Sequence, residues 1–255
     1  MNKIFTSMQQ WFYGIRLYIA MATVLVTGQV YWWTTSVYGD SSLAAIRLQE
    51  IYAWIALGLL LLALSIAPLC SVIKKLPGKP LLRDARRMLG LSAAWFASLH
   101  VGITYIDQFK AANPFSLPVI YQWTFFIGLV ALIILLALAF TSFNAAFRKL
   151  GVWWFRLHRL VYLAVLLVLL HAFAIGVHAT TAPFIGTLAV VVALLFAAHF
   201  YLSVGPGRNP TILRSITLCY GLVATVAVFA YGISQGTAEP PLNQSNKGVQ
   251  YESVR

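Results

Sequence analysis

All five histidines of the chain, His100, His158, His171, His178 and His199, fall inside apolar segments or at their ends. An ionisable side chain at membrane depth is costly unless it faces other protein and has a partner, so such positions read as functional. Depth singles out one pair. His100 lies thirteen residues beyond Arg87, which lifts it roughly 20 Å up an ascending helix. His171 lies twelve residues beyond Arg159, or roughly 18 Å up a second helix entering from the same side. Level imidazoles on two helices can take the fifth and sixth positions of one haem iron, a low-spin arrangement suited to electron transfer.

The remaining histidines leave alternatives open. His158 sits at the mouth of the second of these helices, thirteen residues before His171 and on a different face. A second haem bound like the first would need a ligand on the His100 helix near position 87, which is Arg87. On a descending helix, His199 reaches roughly the depth of His158, so a second haem between those two stands beside the plainer reading of a polar or interfacial contact. His178 follows His171 by seven residues on the same face. It could meet a haem propionate or an external acceptor, or be an ordinary interfacial histidine. Cys70 and Cys219 lie in apolar segments and read as buried, reduced thiols.

The elements that must position these groups are transmembrane helices. Of 255 residues, 60% are hydrophobic and 9% charged, against about 25% charged in a soluble domain. Seven apolar stretches, near 15–34, 51–73, 88–106, 118–142, 159–178, 183–204 and 211–232, are long enough to span. They lack period-2 alternation, and open sheet edges cannot be satisfied in lipid. The expectation is an all-α polytopic bundle of about seven helices. Its parts are a cytoplasmic N-terminus over 1–14, a six-helix haem-binding domain over 15–204, an extra helix with its preceding loop over 205–232, and a disordered periplasmic tail over 233–255.

The net charge of +12 would suggest nucleic acid in a soluble protein. Here the cations are shared among short juxtamembrane loops rather than forming one stripe interleaved with aromatics. Fourteen of the 18 Lys and Arg fall on one side of the seven-helix layout. The positive-inside rule makes that side cytoplasmic, with the N-terminus inside and the tail outside. The first apolar stretch lacks a small-residue cleavage site and reads as a retained helix rather than a signal peptide. No internal repeat or low-complexity run is found.

Three segments carry a resemblance. ARRMLGLSAAWFASLH (85–100), LALAFTSFNAAFRKLG (136–151) and FRLHRLVYLAVLLVLLH (155–171) resemble the ferric-reductase-like transmembrane domain, and within it the MsrQ type of haem-binding subunit. The stretch 64–91 is similar to that type as well, so the likeness runs over about 51–204. The resemblance implies b-type haem held by His100 and His171 near the periplasmic side, and it matches His158 to a family histidine at the cytoplasmic end. It also implies a bacterial inner membrane protein that takes electrons from a cytoplasmic flavin, flavoprotein or quinol and passes them to a periplasmic redox partner. Flavin mononucleotide (FMN) is the second implied cofactor, its phosphate suited to Arg86, Arg87, Arg148, Lys149, Arg156 and Arg159. The seventh helix, the outward tail and His199 depart from the MsrQ pattern.

No glycine-rich phosphate loop follows a strand, so the chain is not expected to draw hydride from a nicotinamide unaided. Trp95, Tyr105, Trp123, Trp153, Trp154 and Tyr162 are available to pack around a porphyrin, although Trp153 and Trp154, next to Arg156, read first as an interfacial belt. The rival class is a transporter or channel whose histidines relay protons or bind a metal. That class predicts broken helices or mid-membrane acids, yet all six acidic residues lie in loops or at helix ends. A structural anchor that has lost its haem is the third reading.

Overall fold

The computed structural model describes residues 2–175, apart from 74, 109–113 and 117–118. The expected helices over 183–204 and 211–232, the tail, His178, His199 and Cys219 lie outside the described residues. Within them the chain is helical: α1 (Asn2–Tyr38), α2 (Ser42–Val72), α3 (Lys79–Ile103), α4 (Val119–Phe140), α5 (Asn144–Leu150), α6 (Val152–His158) and α7 (Leu160–Ile175). Five helical stretches are long and apolar enough to cross a membrane: Gly14–Tyr38, Ser42–Ser71, Lys79–Asp107, Tyr121–Phe140 and Val152–Ala172. They coincide with the first five expected from the sequence and make this a multi-pass membrane protein.

Helix ends differ from the apolar runs because hydrogen bonding does not stop where hydrophobicity does. Gly39, at φ 60, ends α1 in the left-handed conformation open to glycine, and α2 starts three residues later. The first turns of α2 are polar, and Arg47 Nη1 donates to Glu50 Oε2 at 2.8 Å. Gly78, at φ 71, precedes α3, whose opening proline has no N–H to leave unpaired. α3 runs on into a π-helical turn, Thr104–Gln108. The stretch between α4 and α7, expected to be a plain loop, holds the short α5 and α6, separated by Gly151 at φ 51. Phe147 meets Trp154 and Phe155 edge to face there, with ring centroids 5.2 and 5.9 Å apart.

Small side chains set the centre of the bundle. Leu60 of α2, Ala93 and Ala94 of α3, Leu135 of α4 and Ala164 of α7 form one buried cluster, in which Ala93 and Ala164 are 0% exposed. Lipid tails supply no hydrophobic drive for helices to associate, so close backbone approach through small residues takes its place. Ala93 and Ala164 each stand seven residues before a histidine, His100 and His171. Two turns of helix therefore separate this contact from both imidazoles. Leu48, Tyr52 and Ala56 pack on Phe96 to join α2 to α3, and Leu57 and Leu61 pack on Leu169 to join α2 to α7.

α1 is fastened to α3 by polar contacts. Arg16 Nε donates to both carboxylate oxygens of Asp84 at 2.9 Å, Thr23 Oγ1 bonds Ser92 Oγ at 2.6 Å, and Trp95 Nε1 donates to Thr27 Oγ1 at 3.1 Å. Sequence offsets of 68, 69 and 68 along this seam make the two helices parallel and in register. Asp84 is only 12% exposed at its side chain. Arg16→Ala should therefore cost about 1–2 kcal/mol, because a largely buried carboxylate loses its charged donor. A lowered melting temperature in detergent, partly restored by Arg16→Lys, is the expected result.

Candidate functional site

α3 and α7 bring His100 and His171 together with ring centroids 6.2 Å apart and ring planes at 76°. Each ring is tethered to a neighbouring helix. His100 Nδ1 lies 3.0 Å from the carbonyl oxygen of Gln49 in α2, and His171 Nδ1 lies 2.8 Å from that of Thr124 in α4. A carbonyl can only accept, so both Nδ1 atoms carry the proton and both Nε2 atoms keep a lone pair. Among the described residues no hydrogen bond engages either Nε2. Donation from the far ring nitrogen to a backbone carbonyl is the outer-shell arrangement that orients a metal-ligating histidine.

Residues not anticipated from the sequence hold this geometry. Gln49 is 9% exposed; its backbone receives His100, and its side-chain Oε1 receives the hydroxyl of Thr104. The same hydroxyl lies 2.7 Å from the His100 carbonyl and shares its one proton between the two oxygens, so the first residue of the π turn adds a second link between the His100 turn and α2. On the other side the His171 ring lies against Gly128 of α4. A Cβ at that position would stand 2.7 Å from His171 Nδ1 and 2.8 Å from Cε1. Thr124 is one helical turn before Gly128, so the carbonyl receiving His171 lies beside the gap that the glycine leaves.

Among the described residues no third His, Cys, Asp or Glu joins the pair into a metal-binding group. A bare structural or catalytic metal site draws at least three protein ligands. Two imidazoles alone suit a group that brings its remaining ligands with it, as a haem does. The separation fits as well: with imidazole–metal bonds of about 2 Å, two rings that held one ion between them would stand with centroids roughly 6 Å apart.

His158 is held differently. Its Nδ1 lies 3.1 Å from the Trp154 carbonyl in its own short helix, and its ring stacks on Trp154 at 3.8 Å and 23°. Ser142 Oγ stands 3.4 Å from Nε2, but that hydroxyl donates to the Leu138 carbonyl at 2.7 Å. The tether is therefore local, where those of His100 and His171 cross between helices. Arg87 Nη1 donates to Asn144 Oδ1 at 2.8 Å, joining the start of α3 to α5, and the Arg156 guanidinium lies 4.6 Å over the Trp153 ring. Of the aromatics, Trp95, Tyr105, Trp123 and Trp153 are exposed, while Trp154 and Tyr162 are half-buried.

Residues 52–169, which include His100 and His158 and stop two residues short of His171, match the family described as ferric reductase like transmembrane component. The chain carries a ferric-reductase-like transmembrane domain. Curated relatives agree. The protein-methionine-sulfoxide reductase heme-binding subunit MsrQ of Cronobacter sakazakii is 37% identical over 126 residues, covering 49% of this chain and 61% of its own length. MsrQ of Bordetella pertussis is 40% identical over 114 residues, covering 44% and 53%. The magnetosome protein MamZ of Magnetospirillum gryphiswaldense is 34% identical over 162 residues, covering 62% of this chain but 23% of its own. The chain thus spans less than two thirds of each of these relatives. No solved structure matches.

Proposed function

We propose that this chain is a b-type haem membrane subunit that carries electrons across a bacterial inner membrane, from a donor on the cytoplasmic side to a periplasmic acceptor. The observation that carries the reading is the His100–His171 pair, 6.2 Å apart with both Nδ1 atoms committed to backbone carbonyls. Similarity to subunits named as heme-binding supports it. Haem, when bound, would supply reversible one-electron chemistry at its iron. The protein's part is to present two neutral Nε2 lone pairs from a low-dielectric bundle, and to fix their tautomers through Gln49 and Thr124.

Direction follows from charge. Arg87 and Asn144 bring the basic stretches 79–87 and 144–159 to one end of the bundle, and Arg16 joins them through Asp84. The positive-inside rule supports placing that end in the cytoplasm. There the donors of Arg87 not spent on Asn144, and Arg156 beside Trp153, are suited to the phosphate of FMN, the second cofactor of this reading. His158 stands at the same end, and a second haem shared with His199 is the extension that would use it. The electron donor is a flavin, flavoprotein or quinol, and the acceptor is a periplasmic reductase partner of the MsrQ kind.

The test is the dithionite-reduced minus oxidised absorption spectrum of the detergent-purified full chain, with pyridine haemochrome quantification. A b-type spectrum near one haem per chain is expected. A value near two would bring in His158 and His199, and no haem in protein made with ample haem supply would overturn the reading.

A further inference from the structure

Resting on the haem reading above, we propose that Gly128 is a positioning residue for His171, holding its imidazole in the orientation from which its Nε2 would bind iron. Gly128 lies inside α4, where glycine costs up to about 1 kcal/mol relative to alanine and so needs a reason. Its backbone takes no left-handed conformation, so conformational freedom is not that reason. Proximity is: a Cβ there would come within 2.7 Å of His171 Nδ1, 2.8 Å of Cε1 and 3.3 Å of Cγ. Three ring atoms lie in the gap, so the imidazole is set against the helix surface along much of one edge.

The gap also governs the hydrogen bond. His171 Nδ1 reaches the Thr124 carbonyl at 2.8 Å only because the ring comes this close to α4. A methyl at position 128 must push the ring away, since a helical Cβ cannot move without its backbone. Withdrawal lengthens the Thr124 bond, frees the ring to rotate, and removes the constraint that keeps the proton on Nδ1. Among the described residues no glycine plays this role for His100: its tether is the Gln49–Thr104 clamp. One ligand is therefore fixed by a clasp of polar groups and the other by a missing side chain. The bare family likeness does not imply this division; it follows from the contacts around each ring.

Gly58 and Gly102 provide controls, because a Cβ at either would meet nothing within 4 Å. The experiment compares Gly128→Ala and Gly58→Ala in the full chain, purified in detergent, by low-temperature electron paramagnetic resonance, carbon monoxide binding and redox titration. For Gly128→Ala the expected result is a changed or diminished low-spin signal, new carbon monoxide binding and a shifted midpoint potential, with Gly58→Ala matching the parent. A Gly128→Ala protein with parental signals in all three would overturn the proposal. Should Gly128→Ala fail to accumulate, the double variant Gly128→Ala/His171→Ala decides. Accumulation equal to His171→Ala alone supports the overlap, and continued failure overturns it. A parent protein without low-spin haem would instead remove the haem reading itself.

Discussion

His100→Ala and His171→Ala should each lower haem per chain by more than about tenfold, since even outer-shell partners of a metal ligand are worth about 10- to 100-fold in affinity. The substitutions separate ligand loss from misfolding unusually well. Each imidazole donates to a carbonyl in the body of another helix, at Gln49 and Thr124. Those carbonyls retain their own helical N–H partners when the histidine goes, so no buried acceptor is orphaned. Size-exclusion profiles should therefore stay close to the parent's while the absorption spectrum is lost. His178→Ala should leave the spectrum in place. Full haem retention in both of the first two variants would refute the ligand assignment.

The approach of His100 to His171 could be anticipated from sequence because helix rise is fixed and basic residues mark where each helix enters the membrane. Counting from Arg87 and Arg159 needs no knowledge of neighbours. What surrounds the pair depends on how each helix is rotated and which side chains interpose, and one sequence does not contain that. Gly128 looks like any glycine in an apolar run until α7 is laid against α4. Gln49 and Thr104 are 55 residues apart, and their contact depends on α2 lying along α3. α5 and α6 were hidden for another reason: each is two turns long, too short for a periodic pattern to emerge from the loop composition around Gly151. One feature of the pair's surroundings is visible in the sequence itself. Ala93 and His100 repeat the spacing of Ala164 and His171, a small residue two turns below each histidine on the same face.

That repeat yields the second large effect. Ala93 and Ala164 are both 0% exposed in the cluster that joins α2, α3, α4 and α7. Leucine at position 164 inserts three further carbons where neither Leu60, Leu135 nor Ala93 leaves room. Overpacking of this kind costs about 1–3 kcal/mol. Part of the strain is relieved if α7 moves away from α3, and a rigid helix transmits that movement two turns up to His171. Ala164→Leu should thus combine a lower melting temperature with loss of haem from the protein that survives, whereas a defect confined to stability would leave haem per folded chain unchanged. Leu170→Ala is the control, since Leu170 is 48% exposed and adjoins His171 in sequence without packing in the cluster. An Ala164→Leu variant that melts with the parent and holds its full haem would show that close approach of α3 and α7 is not what sets the spacing of the two imidazoles.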